Sequence, residues 1–280
     1  MCKNNERTIG SVLRSVRELA AEIVAVDSGS TDATLDLLDQ AGARVVRTEW
    51  RGHVRTKQLA LDLACQNRSI RWVLCLDSDE PVEDDLAESI RSLIAENDRD
   101  IAAAEVNRRV FVHGRYLRHA WQPEWRLRLA RAGTVRWAGR DPHDRLELRA
   151  GVHGRIVRIP GTLRHESFQT FAEHLRAQLR HAEIAAESML ADGQHGSVRR
   201  LLTSPTGAFL KQMVGKQAWR DGLPGLLAAG TTAAGTLMKH LILLERSRLN
   251  GSPDPDPAPL EPHLHEPKPR AEEPAPPPSR

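Results

Sequence analysis

Strand-length and helix-length apolar segments alternate through the first hundred residues, and this alternation constrains the fold more than any other feature. Short apolar runs typical of buried strands lie at residues 22–26, 43–48 and 71–76. Apolar residues recur at helical spacing across residues 6–20, 32–41, 55–66 and 81–97. Strands separated by helices usually pair in parallel and bury both faces of the sheet. The sequence therefore predicts an α/β fold, with a mostly parallel sheet and helices on both of its faces.

Acidic residues directly follow two of these strands. Asp27 opens the segment Asp-Ser-Gly-Ser-Thr-Asp, and Asp77 and Asp79 follow the strand at 71–76. Ligands of such sheets gather at the carboxyl ends of the strands. We therefore expect both acidic segments to line one ligand site.

The Asp77-Ser78-Asp79 segment has the chemistry of a divalent-cation site. Carboxylate oxygens are the ligands that Mg²⁺ or Mn²⁺ prefers, and such an ion offsets charge on a departing nucleoside diphosphate. The alternative is that both aspartates cap the next helix and are solvated. Asp27 also has two interpretations. It accepts a hydrogen bond from a nucleobase or ribose, or it forms a turn, because Asp-Ser-Gly favours turns.

Several segments together resemble the family 2 glycosyltransferases with a GT-A fold, and most closely their lipopolysaccharide-core β-glucosyltransferase type. The resemblance extends over about residues 1–248 and rests on the segments Lys3–Glu6, Val26–Asp32, Trp72–Glu80, Pro123–Leu129 and Leu163–Ser167. It implies a GT-A fold with added C-terminal helices. It also implies inverting transfer of a sugar from a nucleotide-sugar, usually UDP-linked, with Mg²⁺ or Mn²⁺. The acceptor would be a saccharide or a lipid-linked molecule of cell-envelope glycan or lipopolysaccharide biosynthesis.

The same resemblance assigns roles to individual residues. Asp27 and Ser28 would lie by the uracil or ribose, and Asp77 and Asp79 would hold the metal diphosphate. A late histidine completes the metal shell in some of these enzymes, so His165 is either that ligand or a structural residue. Asp144 stands where relatives carry Glu and would be the general base, with Glu124 as its rival.

Two other functions stay open. A haloacid dehalogenase-type phosphohydrolase also places Asp-x-Asp after a hydrophobic strand and uses the first Asp as nucleophile. That pattern has Thr or Val where this chain has Pro81. The other alternative is a degenerate, non-catalytic relative. The family normally begins with a hydrophobic strand, but Met1-Cys2 stands in its place, so either the start is misplaced or the sheet lacks a strand.

Composition divides the chain into three parts. We predict a catalytic domain at 1–165, a helical region at 166–250 and a disordered tail at 251–280, which holds 11 of the 17 prolines. Within the helical region, 223–244 is long and mostly uncharged but contains Pro, Gly and Lys. We expect it to form a buried helical hairpin, to bind an anionic membrane surface, or both.

Charge and cysteine usage predict the compartment. The net charge of +3 is small and dispersed, so no nucleic-acid partner is expected. Three cysteines far apart in sequence favour a reducing compartment, and the polar opening residues Lys3–Arg7 do not resemble a signal peptide. We expect a cytoplasmic protein with a peripheral contact on the inner face of the cytoplasmic membrane.

Overall fold

The computed structural model describes residues 1–140 and 143–248. Residues 141–142 and 249–280, and the side chains of Arg140 and His143, lie outside the described part. The disordered tail predicted at 251–280 therefore lies outside the described residues.

The first hundred residues alternate between helix and strand as predicted. The helices are α1 (Glu6–Val16), α2 (Thr34–Gln40), α3 (His53–Cys65) and α4 (Asp84–Glu96). The strands are β1 (Val24–Asp27), β2 (Arg44–Arg47) and β3 (Trp72–Leu74). Helix α1 buries Ile9, Val12, Leu13 and Val16, the stripe that its 3.6-residue period predicts. Strand β3 ends at Leu74, earlier than the predicted residue 76, and Ser78 and Asp79 form a turn.

Six more strands follow, and then three long helices. The strands are β4 (Ile101–Val112), β5 (Arg115–Tyr116), β6 (Trp125–Arg131), β7 (Val135–Arg140), β8 (His143–Leu148) and β9 (Arg155–His165). The helices are α5 (Phe171–Ala191), α6 (Val198–Leu210) and α7 (Leu223–Arg248), with one π-helical turn at Lys211–Gly215 and one 3-10 turn at Ala218–Asp221 between the last two. The α/β fold class with C-terminal helices is confirmed.

Strand pairing is mixed rather than mostly parallel, which corrects one part of the predicted fold. Strands β1 and β2 pair in parallel, as do β4 and β9. Strand β6 inserts between β3 and β4 and runs antiparallel to both. The parallel prediction came from strands joined by helices, whereas β6 returns from β4 through a short connection that needs no helical crossover.

An apolar cavity of about 390 Å³ separates the β1–β2 pair from the larger sheet. Cys2 lines the cavity and forms one parallel bridge with Asp27. Its backbone N–H donates to the carbonyl oxygen of Val26 at 2.9 Å. Alternate residues of a strand face opposite neighbours, so the backbone groups of Val24 on β1 and of Trp72 on β3 face the cavity. Among the described residues, Cys2 therefore occupies the place where the family resemblance implies the first strand.

Helix α4 covers the larger sheet. Leu86 and Ile90 of α4 are buried against Leu129 and Leu163 of the sheet. Gly161 has φ of +109°, and a Cβ there would lie 2.5 Å from the Leu86 backbone. This close approach needs glycine and sets β9 directly under α4.

Helices α6 and α7 form an antiparallel hairpin. Gly196, just before α6, lies against the end of α7, because a Cβ at this position would come 2.2 Å from Leu244 Cα. At the other end, a Cβ on Gly225 would come 1.8 Å from the carbonyl oxygen of Ala218. Helix α5 packs along α7 through Ala182, Ala186 and Leu243.

Candidate active site

Asp27, at the end of β1, is bound within its own turn. Its carboxylate accepts the backbone N–H groups of Gly29 and Ser30 at 3.0 Å and a short hydrogen bond from the Ser30 hydroxyl. Burial favours the neutral acid, but these hydrogen bonds outweigh it and lower the pKa of Asp27. Gly29 has φ of +93°, which permits the turn. Asp27 therefore has the contacts of the turn former considered above.

Ser28 offers the free polar group of this turn. It is buried, and among the described residues its hydroxyl has no hydrogen-bond partner. A buried hydroxyl without a partner costs free energy, so such a group is a candidate ligand contact. It lies at the end of β1, where the family resemblance implied a uracil or ribose contact.

Asp77 carries two strong cationic contacts. Its Oδ1 lies 2.6 Å from Lys57 Nζ, and its Oδ2 lies 2.8 Å from Arg128 Nη2. Burial favours the neutral acid, yet Arg128 and Lys57 outweigh it and hold the pKa of Asp77 far below its usual range. Its backbone N–H also donates to Glu80 at 3.1 Å, which closes the turn after β3.

Charges of alternating sign continue from Arg128 into the sheet. Arg128 lies 2.6 Å from Glu80, which is fully buried and also lies 3.1 Å from Arg108. Arg108 binds Glu124 through two nitrogens, at 2.6 and 3.1 Å, and Arg126 binds the same carboxylate at 2.7 Å. Such a network is stable only if every member is paired, so it fixes these side chains in place.

Lys57 joins the acidic turn to Asp144. Its ammonium lies 2.6 Å from Asp77 Oδ1 and 2.7 Å from Asp144 Oδ2, so these two oxygens meet on one nitrogen. Lys57 projects from α3 and Asp144 from β8, and the ammonium also lies 4.7 Å from the centre of the Trp137 ring. The Asp-x-Asp turn and the expected general base, which are distant in sequence, therefore share one site.

Asp79 and His165 form a second pair beside this network. Asp79 Oδ2 lies 3.6 Å from His165 Nε2. Burial, then Glu80 and Asp77, raises the pKa of Asp79 to about 7. Burial, then Arg108, lowers the pKa of His165 to about 4. The Nδ1 atom of His165 is buried and has no hydrogen-bond partner in the described part of the chain.

The pair of Asp79 and His165 has the donor chemistry of a divalent-cation site, whereas Asp77 is occupied by Lys57 and Arg128. A carboxylate oxygen and an imidazole nitrogen suit Mn²⁺. Within the described residues, no group of three His, Cys, Asp or Glu side chains is arranged around one point. Asp79 and His165 would hold such an ion, and a diphosphate or water would supply its other ligands.

Glu124 has the contacts of a structural residue rather than a base. Burial favours its neutral form, but the hydrogen bonds and charge of Arg108, then Arg126, outweigh it and lower its pKa to about 2. An effective general base needs a pKa near the working pH. Of the two candidates from the sequence, the geometry favours Asp144.

Sequence reasoning missed Lys57 and the pairing role of Glu80. Lys57 occurs in an ordinary amphipathic helix, and no spacing rule links it to residues 77 or 144. The signal that could have been used is its position on the buried face of α3, where an uncompensated charge would be unfavourable. Glu80 directly follows Asp79 and could have been read as part of the same acidic turn.

The chain matches one protein-family model and several curated relatives. The model described as "Glycosyl transferase family 2" matches residues 1–153, more than half of the 280-residue chain. The lipopolysaccharide core biosynthesis glycosyltransferase LpsC of Rhizobium meliloti (strain 1021) is 29% identical over 91% of this chain and 93% of its own length. The uncharacterized glycosyltransferase RT0209 of Rickettsia typhi is 25% identical over 80% of this chain and 78% of its own.

Two kinds of solved structure are also similar to the chain. Glucosyl-3-phosphoglycerate synthase from Mycobacterium tuberculosis, in complex with Mn²⁺ and UDP-glucose, is 28% identical over 40% of this chain, with a TM-score of 0.29. The match spans 42% of that protein, less than half of its length. S. aureus TarS 1-349 is 15% identical over 90% of each chain, with a TM-score of 0.37.

Proposed function

Because this chain belongs to glycosyl transferase family 2, we propose that it is an inverting enzyme that takes its sugar from a UDP-linked donor. The proposed acceptor is a saccharide or lipid-linked molecule of the cell envelope, as in lipopolysaccharide core assembly. The relation to LpsC over most of both chains supports this acceptor class. We place the enzyme in the cytoplasm, with a peripheral contact on the inner face of the cytoplasmic membrane.

The observation that carries the proposal is the bridge made by Lys57. One ammonium contacts Asp77 of the acidic turn at 2.6 Å and Asp144 at 2.7 Å. Inverting transfer needs a base on one side of the anomeric carbon and a departing diphosphate on the other. A donor-binding turn and a carboxylate at this short separation provide the two halves of such a site.

The donor side of the proposal uses the turns after β1 and β3. Ser28 contacts the uridine through its unpartnered hydroxyl, and Asp27 holds that turn in shape. Asp79 and His165 hold Mg²⁺ or Mn²⁺, which when bound neutralises charge on the diphosphate. Asp77 binds Lys57 and Arg128, so it acts on the diphosphate through these cations rather than as a direct ligand of the ion. This differs from the ligand role that the family resemblance implied for Asp77.

The chemical step places Asp144 beside the acceptor. Its carboxylate takes the proton of the acceptor hydroxyl while that oxygen forms a bond to the anomeric carbon. The bond between that carbon and the diphosphate breaks, and the diphosphate leaves with the electron pair on the opposite face. Lys57 of α3 contacts Asp144 of β8 and holds its carboxylate in position.

Calorimetry of UDP binding, with and without Mn²⁺, tests the donor half. We expect Mn²⁺-dependent binding that Asp79→Asn abolishes, whereas Asp36→Asn, an exposed change on α2, leaves it intact. Asp144→Asn should keep UDP binding and lose at least about 100-fold in turnover, the typical contribution of a general base. Binding that ignores both Mn²⁺ and Asp79 would contradict the ion assignment, and full turnover by Asp144→Asn would contradict the base.

Neither alternative function gains support. A phosphohydrolase of the haloacid dehalogenase type needs the first aspartate as a free nucleophile, but both oxygens of Asp77 are bound to cations. The match to a family of transferases leaves a purely non-catalytic role without an observation in its favour.

A further inference from the structure

The connection between α6 and α7 exposes an unusual number of large apolar side chains. We call residues 210–227 the hairpin tip. Its exposed apolar side chains are Leu210, Val214, Trp219, Leu223, Leu226 and Leu227. Val214 and Leu223 are 69% and 67% exposed. Exposed apolar side chains concentrated in one short segment are typical of an interaction site.

The charged side chains around the hairpin tip are almost all basic. Residues 193–244 contain six basic residues but one acidic residue, Asp221. Asp221 is turned inward, where it accepts the backbone N–H groups of His119 at 2.9 Å and Ala120 at 2.8 Å. Lys211 and Arg220 are exposed beside the apolar side chains. The outer surface is therefore apolar with a basic rim, the composition of helices that bind anionic lipid.

The position of α7 favours a surface contact over a membrane span. In the described part of the chain, α7 is the one helix long and apolar enough to cross a bilayer. One side of it packs on α5, where Gln178 lies against Gly235. Helix α5 carries many charged residues, which bilayer interiors disfavour. Helix α7 therefore exposes to a membrane only its outer side, including the apolar residues of the tip.

We propose that the hairpin tip docks on an anionic lipid bilayer. Its aliphatic side chains and Trp219 enter the interface, while Lys211, Lys216 and Arg220 contact lipid phosphates. Trp residues are typical of this boundary because the ring has an apolar body and a polar N–H. Lysine is depleted in protein–protein interfaces, so the basic rim favours lipid over a protein partner.

The tip is tied to the loop beside the candidate active site. Trp121 donates its ring N–H to Thr232 of α7 at 2.9 Å and its backbone N–H to Gln212 at 3.1 Å. The same loop leads into Glu124 and Arg126 of the charged network. Docking of the tip therefore holds this loop close to the bilayer, where a lipid-linked acceptor lies. This consequence rests on the proposed function, but the docking itself rests on the surface alone.

Vesicle flotation of the full chain tests the docking. Vesicles of phosphatidylcholine with about a third phosphatidylglycerol should bind the protein, and vesicles of phosphatidylcholine alone should bind it far less. The double variant V214Q/L223Q should weaken binding at least about tenfold, because two large apolar side chains lose their burial. Leu179→Gln, an exposed change on α5, is the matched control and should bind as the parent does.

Charge and fluorescence supply independent readouts. K211Q/K216Q should weaken binding to the anionic vesicles about tenfold or more, and raised salt should act in the same direction. Bound Trp219 should emit at shorter wavelength, and Trp219→Phe should remove that change while binding persists. The substituted side chains are exposed, except for the half-buried Lys216, so the variants should fold.

Three results would overturn the proposal. They are unchanged flotation of V214Q/L223Q, equal binding to neutral and anionic vesicles, and self-association through the tip in a protein that ignores vesicles. The assay needs no donor or acceptor, so it separates docking from catalysis. Vesicle binding without transferase activity would contradict the proposed function alone, and activity on a soluble acceptor without vesicle binding would contradict the docking alone.

Discussion

Replacing Lys57 with methionine is the sharpest test of the active-site geometry. The lysine side chain is 8% exposed and its two aspartate partners are 24% and 11% exposed, so the charges interact with little screening by water. Methionine keeps most of the apolar stem but removes the ammonium, which lies 4.7 Å from the centre of the Trp137 ring. Removing one partner of a buried ion pair costs about 3–5 kcal/mol. Because Asp77 keeps Arg128, we expect the lower end, about 3 kcal/mol of the free energy of unfolding.

Thermal and denaturant unfolding measure this loss. For a protein of this size, about 3 kcal/mol lowers Tm by roughly 6–12 °C. Lys211→Met, an exposed change, is the control and should shift stability by less than about 0.5 kcal/mol. The double variant K57M/D144N should lose less than the sum of its single variants, by about 1–2 kcal/mol, since Asn needs no cation.

Two outcomes would refute this reasoning. One is a K57M cost below about 1 kcal/mol, the range of surface ion pairs. The other is strict additivity of K57M and D144N, which would mean that Lys57 and Asp144 do not interact in solution. Either would remove the contact that joins the acidic turn to the proposed base.

Three further predictions concern other parts of the molecule. Glu124→Gln should lower Tm by several degrees, because it leaves Arg108 less well paired, yet keep more turnover than Asp144→Asn in the same assay. Burial, then His181, lowers the pKa of His174 to about 4, below its unfolded value, so its contribution to stability is complete above about pH 6.5 and is lost as pH falls through 4. The Tm of His174→Phe should therefore fall less between pH 7 and pH 4.5 than that of the parent, and equal slopes would count against it. Adding an apolar strand of about five residues before Met1 should raise Tm by about 2–4 °C for each kcal/mol of burial gained in the cavity, while a proline-rich extension of equal length should not.

The elements of the first hundred residues were predictable because each is specified by its own local pattern. The stripe of Ile9, Val12 and Leu13 gives α1 without reference to any other element. The insertion of β6 between β3 and β4 was not predictable in this way. It depends on pairing between residues such as Leu74 and Leu129, which are far apart in sequence and carry no local signal.

The candidate site was predictable in its acidic residues but not in their partners. Aspartates after apolar strands are visible in the sequence, since strand ends can be located from hydrophobicity. The partners of Asp77 are Lys57 and Arg128, which approach from α3 and β6, and only the tertiary fold brings them together. The sequence also cannot separate an exposed Leu223 from a buried Leu243, because both belong to one apolar helix.

The cavity between β1 and β3 also has a mechanical consequence. In the described residues no backbone hydrogen bond joins the two strands, so the Ser28 turn and the Asp79 turn are not tied to each other by a shared ladder. The two turns can then move relative to each other on slow timescales. A donor that contacts both turns restricts this relative motion. The amide hydrogens of Val26 and Leu74 should then exchange quickly in the free protein and slowly once a nucleotide-sugar binds both turns.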